Sequence, residues 1–158
     1  MRLTNKSLCA SCGGDCCKRL PGCCLPEDIE RLFPAESLFM SVKMALASGN
    51  FQIACWDASQ ALYYVRQTVL DGNQDRVLSY SWGGKCKLHT SKGCKLKFKD
   101  RPFECRILVP SKDRYCVYQK GVKSGKYESG KAWHKIKGWR KFVNTISSDR
   151  KDLKKELR

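Results

Sequence analysis

The sequence predicts an α+β fold: a small single domain organised around cysteine-ligated metal, closed by a basic amphipathic C-terminal helix. Three observations carry this prediction. The chain has 158 residues, 42% of them apolar, enough for one modest core. Eleven cysteines are present, four of them within the nine-residue string CASCGGDCC, and thiols at such spacing gather around a metal. Helical apolar stripes flank a middle section rich in aromatic and β-branched residues. Residues 1–130 read as the cysteine-cluster domain, and residues 131–158 as a basic helix packed on it or extending from it.

The elements follow in order. Residues 2–24 read as an irregular knuckle, with Gly13, Gly14 and Gly22 for tight turns and Pro21 against a continuous helix. Pro26, Glu27 and Asp28 open a short helix whose Ile29, Leu32 and Phe33 share one face. A second helix covers residues 35–48, with Leu38, Val42, Ala45 and Leu46 in a stripe and Gly49–Asn50 as its stop. Residues 51–56 and 61–69 read as strands, with their alanines leaving a helical alternative open. Residues 71–84 read as a polar connection, after which 86–88 and 94–98 pair as short strands about a turn at 89–93. Pro102 begins a helix that carries Cys105 near its start. From Lys131 onward Trp133, Ile136, Val143, Ile146, Leu153 and Leu157 approximate helical spacing between basic residues.

Charge divides the chain. Residues 1–84 hold eight Lys/Arg and eight Asp/Glu, whereas residues 85–158 hold 23 against seven, so the second half carries the whole formal +16. A field of this sign attracts nucleic acid or an acidic protein. Lys135, Lys137, Arg140 and Lys141 are the candidate contacts, and Tyr115, Tyr118, Tyr127, Trp133 and Trp139 lie among these lysines either as stacking platforms or as core beneath a basic face. No apolar run approaches the ~20 residues that span a bilayer.

The first residues, MRLTNKSLCA, lack the apolar stretch of an export signal. Reduced thiols in a cytoplasmic protein are then expected, and an odd cysteine total leaves at least one outside any intramolecular disulfides, so metal ligation is the favoured use. Cys9, Cys12, Cys16 and Cys17 with Cys86, Cys94, Cys105 and Cys116 make eight, the number for two four-thiolate sites; one site with spare thiols is the alternative. Zinc and iron–sulfur clusters both accept four cysteines.

The strings CASCGGDCC, PEDIERL and GGKCKLHTSKGCKLKFKDRPFECRILVP together resemble the YkgJ-like cysteine-cluster proteins, over residues 9–116. The resemblance implies a zinc- or iron-chelating domain, in some members labelled an iron–sulfur oxidoreductase. By position the pattern falls on Cys9, Cys12, Cys16, Cys17, Cys86, Cys94 and Cys105, with its Arg-Pro pair on Arg101 and Pro102, and Cys116 as an eighth member. Arg101 then supports the site by donating to thiolates or backbone carbonyls. Cys23, Cys24 and the basic segment after Cys116 depart from the pattern.

Cys23 and Cys24 read equally as extra ligands or as buried thiols, and Cys55 as core. His89 reads as an exposed turn histidine in preference to a ligand, and His134 as a surface residue. No P-loop, dinucleotide fingerprint, nucleophile elbow, HExxH or paired-carboxylate signature occurs. The functional expectation is a metal-binding protein whose basic half binds nucleic acid or an acidic protein. The alternatives are an iron–sulfur oxidoreductase or electron-transfer accessory, and a carrier that releases a thiophilic metal.

Overall fold

A computed structural model describes residue 11 and residues 13–109, 116–118 and 124–158. Its centre is a three-stranded sheet in the order β2-β1-β3. β1 (Phe51–Asp57) pairs antiparallel with β2 (Leu62–Gln67), and parallel with β3 (Leu78–Ser79). Phe51, Gln52, Ile53 and Ala54 are all buried, as befits a central strand covered on both faces. The polar Gln52 lies opposite Arg66. With its amide oxygen turned toward that guanidinium, Gln52 accepts from Nη2 at 3.0 Å and Nε at 2.9 Å, which meets part of the donor demand of a fully buried arginine.

Among the described residues the helices α1 (Asp15–Arg19), α2 (Pro26–Leu32) and α3 (Leu38–Ala47) precede the sheet. The last two match the sequence reading, for reasons visible in the caps. The Ser37 hydroxyl accepts from the Met40 amide at 3.2 Å, and Gly49 takes φ 80° just past the helix end. α1 was not expected inside the knuckle; Gly14 at φ 72° starts it and Leu20 ends it in extended conformation, ahead of Pro21. β3 is a second addition, lying within the supposed polar connection. Pairing beside β1 and a bond from the Val77 amide to the Ser148 carbonyl at 2.9 Å, both tertiary, place it there.

Beyond the sheet come the hairpin β4 (His89–Thr90) and β5 (Gly93–Cys94), the helix α4 (Phe103–Ile107), and the pair β6 (Leu108–Val109) and β7 (Val117–Tyr118). The hairpin is tighter than its sequence suggested: His89 faces Cys94 across it, and Cys86 stands before it. Cys55 is half-exposed where a core position was expected, because β1 shifts register between Cys55 and Asp57 as it leaves the sheet.

The expected single helix from Lys131 is instead three helices: α5 (Gly125–His134), α6 (Trp139–Thr145) and α7 (Arg150–Glu156). Gly138 at φ 82° reverses the chain before α6, Ile146 is extended after it, and Asp149 caps α7 by accepting from the Lys151 amide at 2.8 Å. These start and stop signals outweigh an approximate apolar period. Nor does the fold divide at residue 130, which lies within α5. Trp133, Trp139, Val143 and Leu153 belong to the same buried cluster as Ile29, Val42, Leu46 and Ile53, so the C-terminal helices complete the core. This is one small α+β domain.

Candidate metal centre

The sheet edge at the end of β2 is where separate cysteine-bearing segments meet. The Gly22 amide donates to the Gln67 side-chain oxygen at 3.0 Å, and the Gln67 amide returns a bond to the Gly22 carbonyl at 3.0 Å. Beyond β2, Cys86 bridges Val69 in antiparallel fashion, while its amide donates to the Cys17 carbonyl at 2.7 Å. Cys86 is thus held between the strand and α1. The thiols of Cys86 and Cys105 converge on one acceptor, donating to the Gln67 Oε1 at 3.4 and 3.6 Å. Gln67 is buried, and no feature of the strand sequence LYYVRQ set it apart.

Cys105 is delivered by α4, and α4 is fixed by Asp28. The buried Asp28 carboxylate accepts from the Leu25 amide at 3.0 Å and the Phe103 amide at 2.7 Å, so it caps α2 and α4 together. It also accepts from Arg31 Nη2 at 3.1 Å and Arg106 Nη2 at 2.7 Å. Packing there is close: a Cβ added at Gly22 would stand 2.2 Å from the Cys105 sulfur.

Cys16 and Cys17 share α1, with their sulfurs 4.0 Å apart. Two thiolates on one tetrahedral zinc, each bonded at about 2.3 Å, lie about 3.8 Å apart. Cys116, which leads into β7, is near enough to Cys16 to favour its thiolate. Cys94 accepts from the Leu96 amide at 3.4 Å, and Arg101 Nε donates to the Leu96 carbonyl at 3.3 Å. Arg101 therefore acts on a backbone carbonyl beside the Cys94 loop, one of the two roles anticipated for it.

His89 is neither free nor a simple turn residue. Its Nε2 lies 3.0 Å from the Gly13 carbonyl, and a Cβ at Gly14 would meet that ring nitrogen at 2.7 Å. The hairpin is thereby pinned to the start of α1, and the buried His89 Nδ1 has no hydrogen-bond partner.

The thiols act on one another electrostatically. The hydrogen bond from Cys17, aided by Cys116, lowers Cys16 to about 6. Cys17 is pushed up by that same bond, then by burial and the charges of Cys16, Cys105 and Cys86. Burial raises Cys86 to about 11, with Cys94 and Cys16 adding to it, and burial together with Glu104 and the neighbouring thiols raises Cys105. Such a group cannot ionise fully without a countercharge. A divalent cation or a cluster iron supplies one. In donor chemistry and in the Cys16–Cys17 separation the residues fit a thiophilic metal.

Among the described residues, however, no group of three or more His, Cys, Asp or Glu side chains is arranged to hold an ion. Cys9 and Cys12, expected to be ligands, lie outside the described residues. Cys23 and Cys24 are fully buried beside the sheet. Cys23 has its amide on Glu104 at 2.8 Å, while the Cys24 carbonyl accepts from Ser129 at 2.6 Å and Trp133 at 2.8 Å. Burial raises both thiols well above the ordinary range.

The other candidate surface is simpler. Lys135, Lys137, Arg140 and Lys141 are all exposed, as is His134, while Trp133 and Trp139 beneath them are core. Tyr115 lies outside the described residues. No helix among the described residues is long and apolar enough to cross a membrane. Comparison with protein-family models, with curated proteins and with solved structures finds no match to this chain.

Proposed function

We propose that this is a thiolate metal-binding protein, taking zinc or an iron–sulfur cluster, whose basic C-terminal half binds nucleic acid or an acidic protein. The observation that supports the metal reading is the 4.0 Å approach of the Cys16 and Cys17 sulfurs, with Cys86 bonded to the Cys17 carbonyl and sharing the Gln67 side-chain oxygen with Cys105. The spacing resemblance to YkgJ-like cysteine-cluster proteins supports the same chemistry, with Cys9 and Cys12 as further ligands. In this reading the protein binds the metal through thiolates, Gln67 orients Cys86 and Cys105, and Arg101 steadies the Cys94 loop. When bound, the metal contributes positive charge and cross-links the knuckle, the hairpin and α4.

The test is to purify the protein without oxygen and measure metal and acid-labile sulfide per chain with the visible spectrum. Stoichiometric zinc without sulfide supports a structural centre, and chelation should then unfold the protein and abolish partner binding together. Iron with sulfide, charge-transfer absorption and a reversible redox change would favour the electron-transfer alternative. A folded, metal-free chain that ignores chelators sinks the metal reading.

A further inference from the structure

On another part of the molecule, three large aromatic side chains stand out of the surface around one recess. Trp82 is 80% exposed, Tyr80 67% and Trp56 38%. The recess they border is also lined by Cys55, Tyr64, Ser81 and Lys126. Two of the exposed rings are held in place. Trp56 lies against α5 where Gly130 leaves space, its ring 3.1 Å from the Cβ that residue lacks, and meets Tyr127 edge-on at 5.5 Å. Lys126 Nζ sits 4.6 Å from the Trp82 ring centroid and donates to the Trp82 carbonyl at 2.9 Å. Among the described residues Tyr80 and Trp82 pair with no other ring; Lys126 sits over one face of Trp82, and the exposure of both side chains leaves the rest of their surface to solvent.

The surroundings of the recess are cationic. Lys126 lies in its wall, and fully buried Arg66 lies behind it. Arg66 Nη2 donates to Ser79 Oγ at 3.2 Å and to the Ser81 carbonyl and hydroxyl at 3.0 Å each, all neutral oxygens, while Nη1 has no partner. On the β2 side, Trp139 Nε1 donates to the Tyr63 carbonyl at 2.9 Å, which sets the start of α6, and with it exposed Arg140, beside this strand. Exposed aromatic rings flanked by Lys126 and Arg140 suit a ligand that is planar and uncharged in one part and anionic in the next. That alternation is the chemistry of an unpaired nucleic-acid strand. A duplex keeps its bases stacked away from such rings, and an acidic peptide offers no planes to them.

We infer that Tyr80 and Trp82, with Lys126 and Arg140, form a binding site for single-stranded nucleic acid in which a base stacks on Trp82 and adjacent phosphates meet the two cations. The inference deepens the nucleic-acid reading of the basic half and rests on it. The probe is an oligothymidylate strand of about twelve nucleotides, added to the metal-replete protein and followed by tryptophan fluorescence and by affinity over a range of salt. Binding should quench fluorescence. Trp82→Ala should weaken it by about 5- to 150-fold with the salt slope unchanged, and Trp82→Phe should restore most of the loss. Lys126→Met and Arg140→Gln should each reduce the salt slope by about one.

Equal affinity for an abasic strand of the same length, or for polyglutamate, would overturn the stacking site, as would wild-type affinity in Trp82→Ala. Salt-dependent binding of duplex DNA that ignores Trp82→Ala would overturn this site and leave the basic-face reading standing. Failure to bind any strand, single or double, would overturn both.

Discussion

Gly22 shows how finely the cysteine region is fitted. A methyl group there would clash with the Cys105 sulfur and stand 3.0 Å from the oxygen of buried Gln67, and these two neighbours are hydrogen-bonded to each other. Gly22→Ala should therefore destabilise the protein by about 1–3 kcal/mol, the usual cost of overpacking, seen as a lower urea midpoint with an unchanged slope. An unchanged midpoint would mean that Cys105 has more room than the packing indicates. The cysteine spacing was visible in the sequence because it is a local property; the ligand role read from it remains a proposal. The roles of Gln67 and Asp28 were not legible there. Asp28 was recognisable as part of a helix start, but its bonds to Phe103 and Arg106 reach across 75 and 78 residues, and no local pattern encodes such a partner.

At the level of elements, legibility followed the strength of the periodic signal and of the caps. α2, α3, β1 and β2 stand close to their expected positions because an apolar stripe or an aromatic and β-branched run coincides with a start or stop residue in each. β3 has only two residues and owes its existence to its neighbours, so sequence pattern had nothing to display. The C-terminal helices failed in the opposite sense: an apparent period ran across Gly138 and Asp149, which break it. α5 is anchored by polar side chains. Its Ser129 and Trp133 side chains both donate to the Cys24 carbonyl, giving this helix a polar fixing point inside an apolar interface. Trp133→Phe removes one donor and some volume, and should cost about 2–4 kcal/mol in denaturant unfolding, with Ser129 still satisfying the carbonyl. A loss below ~0.5 kcal/mol would show that the indole contributes little to docking.

Across the whole molecule, Arg150 joins regions remote in sequence. Its guanidinium donates to the carbonyls of Leu46, of Phe51 at 2.6 Å and of Gln74 at 2.6 Å, and to the Thr68 hydroxyl at 3.1 Å, while burial lowers its pKa to about 10. Arg150→Met keeps an unbranched side chain but strands these acceptors, so the loss should be at least about 3 kcal/mol, read as a fall in the thermal midpoint. Arg150→Lys retains the charge without the planar fork and should recover only part of it. The composition displayed this arginine as one more charge in a basic tail; only the fold distinguishes it from the exposed Lys135 and Lys141. Its reach also sets a timetable for a chain emerging from the ribosome. Residues Leu46 and Arg150 are 104 positions apart, and at ~5–20 residues per second synthesis of that interval takes ~5–20 s. During it Cys86 and Cys105 join Cys16 and Cys17 while the core that shelters them is unfinished, so the nascent thiols meet whatever metal or oxidant the surroundings hold before the last helix closes over the sheet.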